Sequence, residues 1–315
     1  MIPGRAPRKA RGRTADKAAA DRAAGGTAVV TGAGGGLGRL IAKRLAEQGF
    51  AVCVTDLDAG AAEGVAAEIN ASAPENEATS AALDVRDADA CREIACARRD
   101  LSLWVNNAGV LTTAPVWAQD DRTRALQLEV NAAGTINGTL AALEAFGVGA
   151  AEGTGPEGTD ARPTRGPGPA RGHVLNVASL AGLAPVSGEG IYAASKHAVL
   201  GFSLSTAIDL RRAGHKKVRI STVCPDGMWT PMLYEKLDDP EAAMSFSGVL
   251  LQSEEVADVV AEVARRPKLV RVVPRWRGLQ CRLYAAAPSV AVRGAKLVEW
   301  VARAGQRRAA KRLRA

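Results

Sequence analysis

The sequence predicts an α/β fold, with a doubly wound parallel sheet of about seven strands and a basic helical C-terminal extension. Two observations predict this architecture. Short runs of β-branched residues alternate with longer stretches of helical periodicity, as in chains whose helices cover both faces of a parallel sheet. The first of these runs is followed by a glycine-rich turn and then by a helical pattern, which is typical of the first βα unit of such a fold.

Seven strands are predicted from their apolar, β-branched composition, and six helices from the apolar repeat of an amphipathic helix. The strands are expected at 27–31, 51–55, 79–83, 101–106, 173–177, 218–223 and 268–273. The helices are expected at 37–48, 60–70, 88–98, 121–146, 191–212 and 254–265. Because helices connect most consecutive strands, the strands are expected to run parallel.

The chain of 315 residues is expected to form one domain with an appendage at each end. Residues 1–22, with seven Lys and Arg against two acids, are predicted to be a basic disordered tail. Residues 23–273 form the α/β domain, in which the Gly-, Pro- and Thr-rich segment 147–171 predicts a flexible inserted loop. Residues 274–315 form a basic amphipathic extension.

Charge and cysteine content limit the environments in which the chain is expected to work. The net charge is +8, but residues 271–315 alone hold twelve Lys and Arg against one acid, so the basicity is terminal. The five cysteines are odd in number and lack metal-type spacing, which favours buried free thiols in a reducing compartment and no metal site. Neither a signal peptide nor an apolar run long enough to span a membrane is found, and a cytoplasmic location is expected.

The glycine-rich turn after the first strand predicts a site for a nucleotide cofactor. Glycines let the backbone approach a pyrophosphate, and the start of the following helix supplies amide donors and the positive end of a dipole. The spacing here is Gly-x-x-x-Gly-x-Gly, which differs from the common Gly-x-Gly-x-x-Gly fingerprint. The candidate cofactor-binding residues of this turn are Gly32, Gly36, Leu37 and Gly38.

Acidic residues after the second and third strands indicate which dinucleotide is bound. Asp56 follows the glycines by about 20 residues, where a carboxylate can accept both ribose hydroxyls of NAD and would repel the 2′-phosphate of NADP. The sequence therefore favours NAD over NADP, although Arg39 nearby could accommodate that phosphate. Asp84 and Val85 are further candidates for contact with adenine, and Asp84 could equally be a helix-entry residue.

Tyr192 and Lys196 predict acid–base chemistry. At a spacing of four on a helix, the phenol and the ammonium lie on the same face, one turn apart. A nearby cation can lower the pKa of a phenol from about 10 towards working pH, so that tyrosine can transfer a proton. This chemistry suits the oxidation of an alcohol or the reduction of a carbonyl.

Five features follow one another in the sequence: the glycine turn at 31–38, Asn-Asn-Ala-Gly at 106–109, Asn131, Ser179, and the pair Tyr192 and Lys196. Together they resemble the short-chain dehydrogenase/reductase family in its single-domain, Rossmann-like form, over about residues 25–273. The resemblance implies hydride transfer between a nicotinamide cofactor and a secondary alcohol or ketone, with Tyr192 as the acid or base. It further implies that Lys196 contacts the nicotinamide ribose, that Ser179 orients the substrate oxygen, and that Asn131 holds a water in a proton relay.

The resemblance also implies cofactor contacts for Asn106, under the adenosine ribose, and for Thr230, near the nicotinamide amide. Where the family usually has Pro-Gly-x-x-x-Thr, this chain reads Pro225-Asp-Gly-Met-Trp-Thr, so Asp226 occupies the usual glycine position. We interpret this as a position where Asp could tolerate a positive φ, or where its charge could favour the oxidised cofactor.

The loops after the fourth, fifth and sixth strands carry many apolar residues, which favours a lipophilic small-molecule substrate. These are Leu111, Val116, Trp117, Leu183, Val186, Met228, Trp229, Met232, Leu233, Tyr234 and Phe246. Family resemblance implies a homodimer or homotetramer. For the basic extension, peripheral contact with an anionic membrane, packing on a neighbouring subunit and, least of all, binding of nucleic acid remain open.

A second class of function is compatible with the same motifs. A nucleotide-binding regulatory or scaffolding protein could keep the fold and the cofactor site without turning over a substrate. The presence of Ser179, Tyr192 and Lys196 together favours the enzyme, because a binding module does not need all three.

Overall fold

A computed structural model describes residues 26–72, 77–149 and 170–314 of the chain. The predicted N-terminal tail and most of the predicted inserted loop lie outside the described residues. Within them, the predicted α/β architecture is confirmed, and the boundaries of most strands and helices fall within two residues of the sequence-based expectation.

Seven parallel strands form one sheet in the order β3-β2-β1-β4-β5-β6-β7. Their bounds are β1 Thr27–Thr31, β2 Ala51–Asp56, β3 Ala78–Ala82, β4 Leu101–Asn106, β5 Arg171–Val177, β6 Lys217–Pro225 and β7 Val270–Val273. The chain reverses its direction of progress across the sheet between β1 and β4. Such a reversal opens a crevice at the carboxyl ends of the strands, where ligands bind in this class of fold.

Ten α-helices surround or extend this sheet within the described residues. They are α1 Gly36–Glu47, α2 Ala59–Ser72, α3 Ala88–Cys96, α4 Asp121–Leu128, α5 Gly134–Ala145, α6 Gly190–Arg212, α7 Pro231–Tyr234, α8 Ser253–Arg265, α9 Arg275–Ala286 and α10 Pro288–Arg314. A π-helical turn, Glu129–Ala133, joins α4 to α5, and the short 3₁₀ helix Pro240–Phe246 follows α7.

Apolar clusters fill both faces of the sheet. On one face, α1, α2 and α8 pack on the strands through side chains such as Ile41, Ile69 and Val260. On the other, α3, α5 and α6 enclose Trp104 and Phe146, both without exposed surface. Burial on both faces explains why the central strands are continuous apolar runs. All five cysteines are free thiols, and all but Cys96 are buried.

The helix predicted at 121–146 is interrupted by the π turn. Asn131 lies in this turn, fully buried, and its side-chain amide binds the backbone of Val110 on a neighbouring loop. The apolar repeat continues through the interruption, so the sequence pattern does not reveal it. A single π turn inside an α-helix often marks a functional position.

The C-terminal extension is helical, as predicted, and it folds back onto the segment after β6. In α10, Ala302 and Ala309 are buried, and the Gln306 side chain donates hydrogen bonds to the carbonyl oxygens of Lys236 and Asp239. The absence of a side chain at Gly305 lets the Phe246 carbonyl approach the helix closely. None of the described helices is both long enough and apolar enough to cross a bilayer.

Candidate active site

A cavity of about 690 Å³ opens at the carboxyl ends of the strands, at the reversal between β1 and β4. Its walls come from the loops after β1 to β6, from the start of α6, and from both helices of the extension. This volume lies within the range of known cofactor and ligand sites.

The glycine turn forms one end of the cavity, and Gly32, Gly36, Leu37 and Gly38 all line it. Gly32 and Gly36 have φ values of 61° and 50°, which glycine adopts more readily than other residues. Side chains added at Gly35 or Gly36 would meet almost nothing but the cavity, whereas at Gly38 one would collide with the Gly32 carbonyl. The turn therefore presents bare backbone and the amino end of α1 to the cavity, as a pyrophosphate site requires.

Asp56 lines the cavity at the end of β2. Its carboxylate accepts hydrogen bonds from the backbone amides of Gly34, at 2.9 Å, and Asp58, at 3.1 Å, which fix its orientation. Arg39 is not among the lining residues, and its guanidinium is hydrogen-bonded to Glu68 at 2.8 Å. The carboxylate thus faces the cavity while the nearby arginine is engaged elsewhere.

Asp84 and Val85 also line the cavity, after β3. Arg86 donates to both oxygens of Asp84, and this hydrogen bonding holds the pKa of the Asp84 carboxyl below its usual range. The amino end of α3 is capped by Asp87, which accepts from the Asp89 and Ala90 amides, so Asp84 is not the residue that caps this helix. The contact of Asp84 with adenine stays a prediction.

Asn106 is not among the residues that line the cavity, and the contact with the cofactor that the resemblance implies for it stays a prediction. Its side chain is buried and binds Asn176, Thr139 and the indole of Trp104 inside the sheet layer. Asn107 lines the cavity instead and donates to the Thr31 and Gly32 carbonyls, both at 3.0 Å. Side chains alternate along a strand, so the neighbouring residue faces the other way.

Ser179, Tyr192 and Lys196 come together on the opposite side of the cavity. Ser179 ends the β5 segment, where its hydroxyl accepts from the Ala181 amide at 3.1 Å and hydrogen-bonds to Tyr192. One turn further along α6, the Lys196 ammonium lies 5.6 Å from the Tyr192 ring centroid and donates to the Val177 carbonyl at 3.1 Å. The predicted convergence of hydroxyl, phenol and amine is present.

The predicted lowering of the Tyr192 pKa is not found in this structure. Burial raises the pKa of the phenol, the nearby carboxyl of Glu189 raises it further, and the hydrogen bond from Ser179 only partly offsets these effects. Burial also lowers the pKa of Lys196 to about 8. Desolvation of both groups outweighs the attraction between phenolate and ammonium expected from their spacing.

Asn131 lies behind the reacting groups and does not line the cavity. Its side-chain nitrogen donates to the Val110 carbonyl and the Ser195 hydroxyl, at 2.9 and 3.0 Å. A side chain at Gly109 would come within 3.2 Å of the Asn131 oxygen and 3.5 Å of the Lys196 nitrogen. The amide of Asn131 and the ammonium of Lys196 therefore both lie beside Gly109.

Thr230 lines the cavity after β6, and its hydroxyl caps the amino end of α7. Asp226, in the same loop, pairs with Arg277 of α9 at 2.7 Å, and both side chains are largely buried. No described residue other than glycine has a positive φ, so Asp226 does not adopt a glycine-like conformation. The unexpected aspartate therefore has a partner in the C-terminal extension, and sequence reasoning did not identify that partner.

Glu189 is a second residue of the site that sequence reasoning missed. It lines the cavity three residues before Tyr192, only 3% of its surface is exposed, and it accepts a hydrogen bond from Ser245 at 2.5 Å. Burial raises the pKa of this carboxyl to about 7. The available signal was a charged residue directly before the helix that carries the tyrosine.

The apolar part of the cavity comes partly from predicted residues and partly from the extension. Of the loop residues predicted to face the substrate, Leu111, Val186, Met228, Met232 and Leu233 line the cavity. The extension adds Arg277, Gln280, Cys281, Tyr284 and Val298, which no local motif indicated. Across the described ranges, no group of three or more His, Cys, Asp or Glu side chains is arranged to hold a metal ion.

Curated relatives match most of this chain. It is 31% identical over 250 residues to (3R)-3-hydroxyacyl-CoA dehydrogenase of Mus musculus, covering 75% of this chain and 88% of the relative. It is 30% identical over 244 residues to 15-hydroxyprostaglandin dehydrogenase (NAD(+)) of the same species, covering 72% and 80%.

Solved structures share the fold and contain either form of the dinucleotide. A short chain dehydrogenase/reductase from Burkholderia phymatum, in complex with NAD, matches with a TM-score of 0.68 at 25% identity, over 84% of this chain and 95% of the other. A metagenomic short-chain oxidoreductase in complex with NADP matches with a TM-score of 0.59 at 27% identity, over 79% and 95%.

The family model described as short chain dehydrogenase matches residues 26–155 and 165–241, which contain the glycine turn and the Ser179, Tyr192 and Lys196 cluster. The matched segments, the seven-stranded sheet and the relatives agree with one another. The chain therefore belongs to the short-chain dehydrogenase/reductase family of oxidoreductases.

Proposed function

We propose that this protein oxidises a lipophilic secondary alcohol, or reduces the corresponding ketone, with NAD(H) as the cofactor. The observation that carries the proposal is the convergence of Ser179, Tyr192 and Lys196 on one cavity wall, with the glycine turn and Asp56 on another. This arrangement leaves room for a dinucleotide along the strand ends, with its reactive end beside the phenol.

In this proposal Tyr192 transfers the proton of the reaction. Because its raised pKa keeps Tyr192 protonated, the phenol can donate its proton to the carbonyl oxygen of the substrate while a hydride reaches the carbonyl carbon, and oxidation reverses both transfers. A bound nicotinamide accepts or donates that hydride. The hydroxyl of Ser179 hydrogen-bonds to the substrate oxygen and orients it towards Tyr192.

Lys196 and Asn131 support the proton transfer. With a pKa of about 8, the amine is still mostly protonated near neutral pH, so its charge stabilises the phenolate and its N–H groups can bind a ribose hydroxyl. Asn131 fixes the loop at Val110 and limits the space beside Lys196, where we propose that it holds a water of the relay.

The proposed preference for NAD over NADP rests on Asp56 and Arg39. The carboxylate at the end of β2 would accept the ribose hydroxyls and repel a 2′-phosphate, while Arg39 is held by Glu68. Arg86 lines the cavity as well, but it is paired with Asp84. Among the described residues near Asp56, Arg39 and Arg86 are therefore both paired with carboxylates, which disfavours binding of the phosphate.

The proposed substrate class follows from the cavity wall. Leu111, Val186, Met228, Met232 and Leu233 give it a mainly apolar lining, while Glu189 and Ser245 add a polar pair near Tyr192. The relatives named for hydroxyacyl-CoA and hydroxyprostaglandin substrates support a secondary hydroxyl on a long apolar chain.

We also propose that the protein assembles as a homodimer or homotetramer through α4, α5 and α6. Leu140 on α5 and Ile208 on α6 expose more than half of their surface, so both are available to a contact between subunits. Light scattering coupled to size exclusion measures the mass, and a strict monomer at micromolar concentration contradicts this part.

Turnover of an alcohol panel tests the proposed function directly. The purified protein is mixed with NAD⁺ or NADP⁺ and with secondary alcohols of increasing chain length, and reduced cofactor is followed by absorbance. We expect turnover with NAD⁺, rising with chain length, and much less with NADP⁺. Tight NAD binding without turnover on any alcohol or ketone would instead support a regulatory or scaffolding protein.

A further inference from the structure

Exposed apolar side chains are concentrated in the C-terminal extension. Of the twenty large hydrophobic side chains exposed in the described residues, nine lie between positions 276 and 313. Trp276, Leu283, Leu297 and Trp300 each expose more than half of their surface. A stable domain rarely leaves so many large apolar groups in water on one segment without a use for them.

These side chains recur at helical spacing. On α9, Trp276, Leu279 and Leu283 are separated by three and four residues and so lie on one face. On α10, Val290, Leu297 and Val301 are separated by seven and four residues and form one stripe along the helix.

Basic residues flank the apolar stripe of α10. Arg293, Lys296, Arg307 and Lys311 are exposed, and helical spacing places them along one side of that stripe. Residues 271–315 contain a single acid, Glu299, which pairs with Arg303 at 2.6 Å. The outer surface of the extension thus combines an apolar stripe with a strong positive charge.

The fold itself uses the other side of these helices. Ala302, Gln306 and Ala309 pack on the segment after β6, while Tyr284 and Val298 line the cavity. The outer surface of α9 and α10 therefore takes no part in these intramolecular contacts. It lies about one helix diameter, roughly 10 Å, from the cavity.

We propose that the outer surface of α9 and α10 binds the surface of an anionic lipid bilayer. Helices that lie in the membrane interface combine an apolar stripe with flanking Lys and Arg, and Trp is favoured at the headgroup level. Anionic headgroups complement the charge, and the apolar side chains enter the boundary of the acyl region. A lipophilic alcohol dissolved in the bilayer would then lie close to the cavity mouth.

Two other occupants fit these observations less well. A second copy of this surface would bring two strongly cationic faces together, because a two-fold contact pairs each patch with itself. A nucleic acid would use the charge but would leave the Leu, Val and Trp side chains in water. A bilayer uses both properties.

Vesicle binding by the full chain tests this inference, and it needs neither cofactor nor turnover, so its outcome is independent of the proposed function. The protein is sedimented with vesicles of phosphatidylcholine alone or mixed with phosphatidylserine. We expect binding only to the anionic vesicles, weakened by salt, and tryptophan fluorescence shifted to the blue on binding.

Substitutions test whether the outer surface of the extension is the part of the protein that binds vesicles. Each basic residue near the membrane contributes about a factor of five, so Arg293→Glu with Lys296→Glu should weaken binding at least roughly 25-fold. Trp300→Ser with Leu297→Ser should weaken it comparably. The matched controls are Lys216→Glu for charge and Trp117→Ser for an exposed tryptophan elsewhere, and both should bind like the parent protein.

Four results would overturn the inference. The first two are equal sedimentation with neutral and anionic vesicles and unchanged binding of the extension variants. The third is that the parent protein binds no vesicles while the variants lose self-association. The fourth is preferential binding of duplex DNA over anionic vesicles. Circular dichroism melting of each variant shows that it is folded.

Discussion

On one side the cavity is walled by Gly32–Gly38, Asp56 and Asp84, all within the first three βα units, and we call this the glycine side. On the other it is walled by Asp226, Met228, Arg277 and Tyr284, and we call this the extension side. The glycine side is built from backbone and from residues at the carboxyl ends of the first three strands, each of which a local motif predicts from its own strand end. The extension side is held by side chains far apart in sequence, such as Asp226 and Arg277, which are 51 positions apart.

This comparison shows which parts of a binding site a local sequence motif can predict. A turn that must bring backbone close to a phosphate requires glycine at fixed spacing, whatever the rest of the chain does. A pocket for a variable substrate can be closed by any element that reaches it, and here the element is the basic extension. Between the two sides lie Tyr192 and Lys196, which belong to one helix turn and serve both.

The largest effect is expected where the two sides meet. Replacing Tyr192 by Phe removes the proton donor and acceptor but keeps the ring, so turnover should fall by about 10²- to 10⁴-fold while NAD binding is retained. Steady-state rates and a fluorescence titration with NAD measure the two quantities. The matched control is Tyr284→Phe, on the extension side of the same cavity, which should keep most of the activity. Comparable losses in both variants would contradict the assigned role.

The stability and substrate binding of the extension side should depend on the buried ion pair between Asp226 and Arg277. Arg277→Met leaves the Asp226 carboxylate without its partner, so the free energy of unfolding should fall by about 3 kcal/mol and the KM for the substrate should rise. The second change Asp226→Gly, which restores the glycine usual in the family, should recover much of the stability. Denaturant unfolding measures both. Arg282→Met, an exposed change on the same helix, is the control, and an equal loss there would show that α9 is merely sensitive to substitution.

Glu189 should make stability depend on pH. Because its pKa is about 7 in the folded protein against 4.5 for the free side chain, the folded state keeps its proton longer, and wild-type stability falls as pH rises from about 4.5 to 7. Glu189→Gln removes this loss, so the variant should gain up to about 3 kcal/mol relative to wild type between pH 4.5 and 8.

Thermal melts at several pH values check this prediction. Glu63→Gln, at an exposed position on α2, should show a difference from wild type that does not change with pH. Tyr192, Asp239 and Lys236 also act electrostatically in this region, and a pH-independent effect of Glu189→Gln would show that Glu189 is not the source of the pH dependence.

The smallest expected effect lies on the glycine side. Gly36→Ala places a methyl group in the cavity at a positive φ, so NAD should bind about tenfold more weakly and stability should fall by about 1 kcal/mol. Gly64→Ala, in the open middle of α2, should instead raise stability by about 0.5 to 1 kcal/mol without changing NAD affinity. Unchanged affinity in Gly36→Ala would remove the glycine turn from the proposed cofactor site.

The order of strands and helices, the glycine turn, and the meeting of Ser179, Tyr192 and Lys196 could all be read from the chain alone. Each depends on contacts between near neighbours in sequence or on the carboxyl ends of parallel strands, which always meet at one edge. The π turn at Asn131 and the inward orientation of Asn106 could not be read in this way, because a continuous apolar repeat and a strand end are compatible with either arrangement.

Sequence by itself determined the sheet, the position of the crevice and the chemical groups beside it, since periodicity and backbone sterics act locally. The tertiary structure determines which groups from distant parts of the sequence line the same crevice. It brought Arg277 to Asp226, packed α10 on the segment after β6, and surrounded Glu189 and Tyr192 with enough apolar material to raise the pKa of both. Desolvation and long-range packing depend on the whole fold, and no stretch of neighbouring residues contains them.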